Sequence, residues 1–263
     1  MQKLYVIKVG GNVIDDPIRL EKFLTDLSTI DGPKVLVHGG GKIASDFAKR
    51  LNVSQALVNG RRITDSETLK ITVMVYAGLL NKQIVAKLQS NGVNALGLSG
   101  ADLNLIKASK REIADIDYGF AGDLNSDSVN VAVLKGLLDS KIVPVFSAIT
   151  HDGSGQLLNT NADTIASFLA LSLASHYDVQ LNFCFEKKGV LQDPESESSV
   201  IERITKTTYK ELKRDGKISK GMIPKMDNAF EAISQGVNRV VIAHSDELIE
   251  SIRNENVGTS LVG

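Results

Sequence analysis

Short apolar runs alternate with helical patterns along most of this chain of 263 residues, and no other feature restricts its fold as strongly. Parallel strands that are joined by helices are buried on both faces, so each one is a continuous apolar run. The alternation therefore predicts an α/β fold, a three-layer αβα sandwich around a mainly parallel central sheet. The predicted strands are residues 4–9, 35–37, 95–98, 142–146, 179–185 and 240–243.

Capping signals indicate where helices lie between these strands. Asp16 followed by Pro17 is typical of a helix N-terminus and predicts a helix over about residues 17–30. Ile43, Phe47 and Leu51 are spaced by four residues and predict the apolar face of the next helix. Residues 104–130 are rich in Asp, Asn and Gly, and we expect a hairpin excursion there.

A long helix is expected from the capping-box pair Thr64 and Glu67 to about Ser90. Its apolar residues form one stripe, which we expect to pack on the sheet or on a partner subunit rather than to bind a ligand. The stripe consists of Leu69, Val73, Tyr76, Leu80, Ile84 and Leu88.

Composition argues against several classes of function. The 30 Lys and Arg residues oppose 31 Asp and Glu residues, and a net charge of −1 argues against a nucleic-acid or anionic-membrane partner. Cys184 is the single cysteine, which rules out an internal disulfide. The four histidines show no metal-ligand spacing. Because the chain has neither a long apolar run nor a signal-peptide pattern, we expect it in the cytoplasm.

The first strand ends in a candidate anion site. Lys8 lies two residues before Gly10 and Gly11. Glycines at the end of a strand let backbone N–H groups approach a phosphate closely, and a nearby lysine adds positive charge. A plain tight turn is the alternative interpretation.

A second candidate is His38 followed by three glycines, at the end of a strand and the start of a helix. The spacing is not that of a Walker A loop. It fits the loose dinucleotide pattern Gly39-x-Gly41-x-x-Ala44, which also requires an acidic residue about 20 positions on, at the end of a strand. The nearest one, Asp65, lies at a predicted helix start, which argues against a dehydrogenase.

Three later segments contain polar side chains that fit a small-molecule site. Arg61 and Arg62 follow Asn59-Gly60, and either arginine is a potential carboxylate clamp or a solvated surface charge. Asp163, after the paired asparagines of 159–161, is a functional candidate or a helix N-cap. Residues 203–225 contain eight basic residues, which fit either a polyphosphate site or a solvated helix.

Taken in order, these motifs resemble the amino acid kinase family over nearly the whole chain. Each motif is weak alone, but seven in sequence are specific. They are Lys8-x-Gly10-Gly11, His38-Gly39-Gly40-Gly41, Asn59-Gly60-x-Arg62, Gly97-Leu98-Ser99-Gly100, Asn159-x-Asn161-Ala162-Asp163, Gly221-Met222-x-x-Lys225 and Gly258-Thr259. Within that family, the second and third motifs resemble those of the members that phosphorylate N-acetylglutamate.

The resemblance implies transfer of the ATP γ-phosphoryl group to the side-chain carboxylate of N-acetylglutamate, in arginine biosynthesis. It implies that Lys8 and Lys225 stabilise the transferring phosphoryl group and that Asp163 holds both lysines. ATP would enter with Mg²⁺ held mainly by its phosphates. A kinase for another N-acylglutamate, such as N-succinylglutamate, and a non-catalytic amino-acid sensor of the same fold are the alternatives.

The resemblance also assigns the binding residues and the organisation of the chain. Residues 1–175 would be the amino-acid lobe and residues 176–263 the nucleotide lobe of a single kinase domain. Because the first strand begins near residue 3, we expect a homodimer paired through the long helix rather than the arginine-inhibited hexamer. The substrate-binding residues would be Gly40, Gly41, Arg62 and Asn159, and the nucleotide-binding residues Gly10, Gly11, Glu186, Gly189 and Ser219.

Overall fold

The computed structural model describes residues 1–58, 60–193, 196–218, 222–254 and 256–263. The strands, in chain order, are β1 (Lys3–Val9), β2 (Lys34–His38), β3 (Leu57–Val58), β4 (Arg61–Arg62), β5 (Ala95–Leu98), β6 (Ser109–Lys110), β7 (Ala121–Asp123), β8 (Val143–Ser147), β9 (Ile149–His151), β10 (Leu157–Thr160), β11 (Asp178–Phe185), β12 (Arg203–Thr205), β13 (Arg239–His244) and β14 (Thr259–Val262). The α-helices are α1 (Gly11–Ile14), α2 (Pro17–Ser28), α3 (Gly41–Arg50), α4 (Ser66–Thr72), α5 (Asn81–Ser90), α6 (Val131–Asp139), α7 (Ala162–Leu173), α8 (Lys206–Arg214), α9 (Ile223–Ser234) and α10 (Leu248–Arg253).

The main sheet has eight strands in the order β12-β14-β13-β11-β1-β2-β8-β5. Every neighbouring pair is parallel except β13 and β14. Helix α7 contacts β1, β2 and β11 and packs on α9, whereas α2 contacts α5 and α10. The predicted α/β fold with a mainly parallel sheet between helices is confirmed.

The register of the central strands determines where a site can form. Val9 of β1 lies opposite His38 of β2 and opposite Cys184 of β11. These three strands therefore end at the same edge of the sheet, and the loops that follow them lie side by side. In parallel sheets, ligands bind in the crevice outside such carboxyl ends.

A second, smaller sheet lies beside the main one, with the order β6-β7-β10-β9. Its pairs β6–β7 and β9–β10 are antiparallel, so the hairpin excursion expected within residues 104–130 is confirmed. Strands β3 and β4 form a separate two-stranded hairpin, with Leu57 opposite Arg62. These strands are two to four residues long, and the sequence patterns did not predict them individually.

The helix signals are partly right. Asp16 caps α2, because its carboxylate accepts from the backbone N–H of Ile18 at 2.9 Å. In α3 the fully buried residues are Ala44 and Ala48, whereas Leu51 lies beyond the helix and is 54% exposed. The predicted apolar face is confirmed for Ile43 and Phe47, which are partly buried and pack against the core. It was wrong for Leu51.

The long helix forms without a break from Ser66 to Ser90, and its central segment, Val73–Leu80, is a π-helix. Its N-cap is Asp65, whose carboxylate accepts from the Thr68 N–H at 2.8 Å, so the predicted capping box was wrong. The expected packing of the stripe is confirmed, since all its members are buried except Val73, which is partly buried.

In the described part of the chain, no helix has the length and apolarity to cross a membrane.

Candidate active site

Two cavities meet where β1 ends, and Lys8 and Gly11 line both of them. The β11 cavity, of about 450 Å³, lies between β1, the end of β11 and the start of α9, and its walls include Phe185, Gly189 and Met222. The hairpin cavity, of about 250 Å³, lies between the three glycines after β2, the β3–β4 hairpin and the end of β10. A group bound in one cavity can therefore reach a group bound in the other at the side chain of Lys8.

Lys8, Asp163 and Lys225 form one ion-pair cluster at this junction, in which Lys8 and Asp163 are buried and Lys225 is partly buried. The Lys8 Nζ lies 2.8 Å from Asp163 Oδ1, and the Lys225 Nζ lies 2.8 Å from Asp163 Oδ2. Burial opposes ionisation of Asp163, but the charges of both lysines outweigh it and hold the pKa of the carboxyl below its usual range. The carboxylate stays charged and fixes two ammonium groups side by side.

Three different elements supply this cluster. Lys8 is in β1, Asp163 is in the first turn of α7, and Lys225 is in the first turn of α9, 5.0 Å from the centre of the Phe185 ring. The N-cap of α7 is Asn161, which accepts from the Asp163 N–H at 2.8 Å. The alternative interpretation of Asp163 as the N-cap was therefore wrong, and its side chain is available to the lysines.

The glycines after β1 contribute in different ways. The Gly10 N–H donates to the Cys184 carbonyl at 2.8 Å, so it is not available to a ligand. A Cβ on Gly10 would lie 3.1 Å from the Cβ of Phe185, so glycine lets β1 and β11 end close together. Gly11 is the first residue of α1, where N–H groups have no partner within the helix.

His38 is fully buried and stabilises the glycine loop that follows β2. Its Nδ1 donates to the Gly39 carbonyl at 2.9 Å, and its Nε2 accepts from Asn81 Nδ2 at 3.1 Å. Burial lowers the pKa of His38 to about 4, so the ring is neutral at pH 7. Gly40 has φ +149°, and an added Cβ would collide with Leu80. Only glycine fits there, which brings the loop against the long helix.

Arg62 spans from the β3–β4 hairpin to the glycine loop. Its Nη2 donates to the Gly41 carbonyl at 2.7 Å and to Ser45 Oγ at 2.9 Å, and its Nη1 donates to Gln55. Every one of these acceptors is uncharged. Arg62 is therefore held in place with its positive charge uncompensated by its hydrogen-bond partners, as a carboxylate-binding arginine requires.

Asn159 lies across the same cavity, at the end of β10. Its Nδ2 donates to Thr64 Oγ1 at 3.0 Å, and that hydroxyl donates to the Arg62 carbonyl at 3.1 Å. Gly40, Gly41, Arg62 and Asn159 all line the hairpin cavity. The structure thus brings the four predicted substrate-binding residues together.

The hairpin cavity also contains side chains that the sequence patterns did not identify. Tyr76 is part of the buried stripe of the long helix and is also a wall of this cavity. Arg111 and Tyr118 come from the excursion that contains β6 and β7. Its Asp- and Gly-rich composition predicted a turn, and no local signal distinguished residues that face a ligand.

The β11 cavity is lined by the predicted nucleotide residues Gly10, Gly11, Glu186 and Gly189. A Cβ on Gly189 would lie 2.6 Å from Thr259 Oγ1, which accepts from the Val190 N–H at 2.8 Å. Glycine at position 189 therefore lets the segment after β11 approach Thr259 closely. Ser219, like Asn59, Lys220 and Gly221 of the other motifs, lies outside the described residues.

Some basic residues of segment 203–225 line the cavity, as a polyphosphate site requires, and others are solvated on a helix. Lys217 and Lys225 line the β11 cavity, whereas Lys213 forms an ion pair with Asp227 at 3.0 Å on α9. Lys206 and Lys210 are exposed on α8. Only the C-terminal part of the segment therefore adds positive charge to the cavity.

A protein-bound metal centre has little support in the described residues, which contain no group of three or more His, Cys, Asp or Glu side chains that could hold an ion. The one buried carboxylate at the junction, Asp163, already contacts two ammonium groups. The donors present fit phosphate oxygens better than they fit a cation.

Comparison with known proteins identifies the family. Residues 3–244 match the model of the amino acid kinase family. The chain is 54% identical over 264 residues to the acetylglutamate kinase of Cytophaga hutchinsonii, covering 100% of this chain and 99% of that one. It is 52% identical over 258 residues to the acetylglutamate kinase of Phocaeicola vulgatus, with 98% of each chain covered.

A solved structure supports the same conclusion at the level of the fold. N-acetylglutamate synthase from Neisseria gonorrhoeae, complexed with coenzyme A and N-acetylglutamate, superposes with a TM-score of 0.82 at 20% identity. The match covers 100% of this chain and 59% of the synthase chain. By its match to the family model and to these full-length relatives, the chain belongs to the amino acid kinase family.

Proposed function

We propose that this protein is an acetylglutamate kinase, which transfers the γ-phosphoryl group of ATP to the side-chain carboxylate of N-acetylglutamate in arginine biosynthesis. The observation that supports this most directly is the junction of two cavities at Lys8, beside Asp163 and Lys225. The full-length relatives named acetylglutamate kinase support the substrate.

ATP would occupy the β11 cavity and N-acetylglutamate the hairpin cavity. The β11 cavity combines an apolar wall, including Phe185 and Met222, with the positive charges of Lys217 and Lys225. That combination suits an adenine ring and a polyphosphate. Most of its residues come from 185–225, and most of the hairpin cavity comes from 1–175, which supports the proposed nucleotide and amino-acid lobes.

In the hairpin cavity, Arg62 would bind the α-carboxylate and Asn159 the N-acylated α-amino group. The side-chain carboxylate would then point to Lys8, which lines the same cavity. Backbone N–H groups of Gly11, Gly40 and Gly41 would donate to the phosphate and to the substrate. A substrate held at both ends loses the freedom that otherwise makes the encounter of two anions rare.

No general base is needed for this reaction. A side-chain carboxylate with a pKa of about 4.3 is already ionised at pH 7. One of its oxygens attacks the γ-phosphorus, the bond from that phosphorus to the bridging oxygen breaks, and the electron pair leaves on ADP. Lys8 and Lys225 would stabilise the negative charge on the transferring group and on the bridging oxygen.

ATP would enter as its Mg²⁺ complex, with the ion held mainly by the nucleotide phosphates. When bound, the ion would neutralise phosphate charge. The role of the chain itself is to supply fixed ammonium and N–H groups, and Asp163 fixes two of these ammonium groups. The reaction would take place in the cytoplasm, where ATP is available.

A homodimer paired through the long helix is also part of this proposal. Met74 is 55% exposed and Leu79 is 40% exposed on that helix, and Leu96 of the edge strand β5 is 37% exposed. Apolar side chains on a helix beside a sheet edge favour pairing with a second copy. Light scattering is expected to give the mass of a dimer, whereas a hexameric mass would contradict the proposal.

Hydroxylamine trapping of the acyl phosphate tests the proposed activity. Purified protein with ATP and Mg²⁺ is expected to form hydroxamate from N-acetylglutamate and far less from free glutamate, which lacks the N-acyl group. A folded protein that binds ATP and forms no hydroxamate from any N-acylglutamate would contradict the kinase and favour a sensing module.

A further inference from the structure

His38, the last residue of β2, holds the peptide bond between Gly39 and Gly40 in one orientation. Its Nδ1 donates to the Gly39 carbonyl at 2.9 Å. Because a peptide unit is planar and trans, the carbonyl of Gly39 and the N–H of Gly40 point in opposite directions. His38 is fully buried, whereas Gly39 and Gly40 both line the hairpin cavity. With the carbonyl directed at the buried ring, the N–H group is directed towards the cavity.

The N–H group of Gly40 has a free hydrogen. Among the described residues, no backbone carbonyl accepts from it. The peptide bond lies between two glycines, so no Cβ on either side opposes its rotation. The opposite orientation would direct the carbonyl oxygen of Gly39 into the cavity, where it would repel an anion. The hydrogen bond from His38 therefore favours the orientation that an anionic ligand requires.

Asn81, the first residue of α5, determines which nitrogen of His38 carries the proton. Its Nδ2 lies 3.1 Å from His38 Nε2 and donates to the Val145 carbonyl at 2.9 Å. The Lys82 Nζ donates to Asn81 Oδ1 at 3.2 Å and to the Gly97 carbonyl at 3.1 Å. These partners fix the amide with its oxygen towards the ammonium group and its nitrogen towards His38. The Nε2 of His38 must then accept, so the proton of the neutral ring is on Nδ1.

Gly97 leaves room for this amide, because an added Cβ would collide with Asn81 Oδ1. This glycine belongs to the motif Gly97-Leu98-Ser99-Gly100, to which the proposed function assigns no role. His38 and Asn81 are each at most 1% exposed, so water does not replace the hydrogen bond between them. Residues from three distant segments therefore contribute to the orientation of one peptide bond in the glycine loop.

We propose that Asn81 and His38 are positioning residues for phosphoryl transfer: Asn81 fixes the ring of His38, and His38 directs the N–H group of Gly40 to the anion that reacts in the hairpin cavity. This inference rests on the proposed function. Neither side chain lines the cavity, so each acts through the glycine loop rather than on a substrate. A donor that binds charge developing in the transition state affects kcat more than KM.

Two substitutions of His38 test its role in the hydroxamate assay. His38→Leu removes the donor to Gly39 and is expected to lower kcat by about 10- to 100-fold, with less than about a threefold change in the KM for N-acetylglutamate. His38→Asn keeps an N–H group bonded to Cγ, as Nδ1 is, and is expected to have a kcat within about fivefold of wild type. A role in packing alone predicts the opposite order, because Leu suits a buried site better than Asn does.

Asn81→Leu tests the second link. The ring of His38 then loses one of its two hydrogen bonds and keeps the bond to Gly39. We therefore expect a smaller loss in kcat, of about 3- to 10-fold, again with little change in the KM for N-acetylglutamate. Both expectations refer to kcat per folded molecule, with the folded fraction measured by circular dichroism.

Nitrogen-15 NMR of histidine-labelled protein gives a readout that does not depend on activity. The ring of His38 is expected to be neutral at pH 7 and protonated on Nδ1. The spectrum of His38→Asn, from which this ring is missing, assigns the signals. The wild-type tautomer is measured even if His38→Leu does not fold.

The matched control is His176→Leu, the same substitution at an exposed position after α7. It is expected to keep the wild-type kcat. Asn91→Leu, at the exposed C-terminal end of α5, is the corresponding control for Asn81→Leu.

The possible failures are distinguishable. Folded wild-type protein that forms no hydroxamate would overturn the proposed function itself. With an active wild type, a kcat of His38→Asn no higher than that of His38→Leu would overturn the positioning role of His38. A wild-type ring protonated on Nε2, or a wild-type kcat in Asn81→Leu, would overturn the role of Asn81 and leave the proposed function intact.

Discussion

The two cavities that meet at Lys8 are built in different ways. The hairpin cavity is supported by buried polar side chains that bond to one another or to the backbone, including His38, Asn81 and Thr64, each at most 1% exposed. In the β11 cavity, the charged side chains of Glu186, Lys187 and Lys217 are exposed. One cavity is fixed before any ligand binds, and the charged rim of the other remains in water.

This difference predicts how sensitive each cavity is to substitution. A charge that is desolvated and held by fixed partners contributes more than a charge in water. We therefore expect large effects at the junction, intermediate effects in the hairpin cavity, and small effects at the exposed rim of the β11 cavity. The four substitutions below test that order.

Lys8→Met, at the junction, is expected to have the largest effect. Removing one contact to the charge that develops in the transition state should lower kcat by about 10²–10³-fold. Near-normal turnover of folded Lys8→Met in the hydroxamate assay would refute the role of Lys8. Lys3→Met, at the exposed start of the same strand, is the matched control and should keep wild-type turnover.

Asp163→Asn tests the junction through stability. The substitution leaves two ammonium groups close together without their carboxylate, so we expect a loss of about 3 kcal/mol in the free energy of unfolding at pH 7. Urea denaturation measures this loss. A change close to zero would show that Asp163 does not hold the lysines.

The difference in stability between wild type and Asp163→Asn is also expected to depend on pH. The pKa of Asp163 in the folded protein lies below the value of 3.8 expected in the unfolded chain. Its contribution to stability is therefore complete above about pH 4 and decreases as the pH falls below that value. The difference in stability between wild type and Asp163→Asn should be smaller at pH 3 than at pH 7, and a difference independent of pH would contradict the shifted pKa.

Arg62→Ala should act on one substrate only. Loss of the guanidinium is expected to raise the KM for N-acetylglutamate by about 10- to 100-fold, with little change in the KM for ATP. The same substitution at the exposed Arg50 serves as the control. A larger effect on ATP than on the amino acid would place the two substrates in the opposite cavities.

Lys217→Ala is expected to have the smallest effect. The side chain is exposed at the rim of the β11 cavity, so its contact with a phosphate is solvated and should change the KM for ATP by about 2- to 5-fold. The KM for N-acetylglutamate should stay unchanged. An effect as large as that of Arg62→Ala would remove the contrast between the two cavities.

The sequence predicted the fold and the positions of the chemical groups at the strand ends. Lys8 and the glycines after His38 were visible because a parallel sheet places its strand ends together, whichever residues come between them. The resemblance to the family connected these residues with Asp163 and Lys225, and the structure shows these side chains in contact.

The features that the sequence did not predict depend mainly on contacts between residues far apart in the chain. Asn81 supports His38 from 43 residues away, and nothing in its own segment distinguishes it from a solvated helix residue. Asp65 rather than Thr64 is the helix cap, and the Thr64 hydroxyl instead accepts from Asn159. The strands of the smaller sheet are too short to show a period of two.

The most direct test of this account is the distance between the reacting atoms in a crystal structure with a non-hydrolysable ATP analogue and N-acetylglutamate. We predict that the γ-phosphorus lies about 3–3.5 Å from an oxygen of the side-chain carboxylate, with the Lys8 ammonium group in contact with the γ-phosphoryl oxygens. A structure in which both ligands are bound but Lys8 contacts neither, or in which N-acetylglutamate lies outside the hairpin cavity, would contradict it.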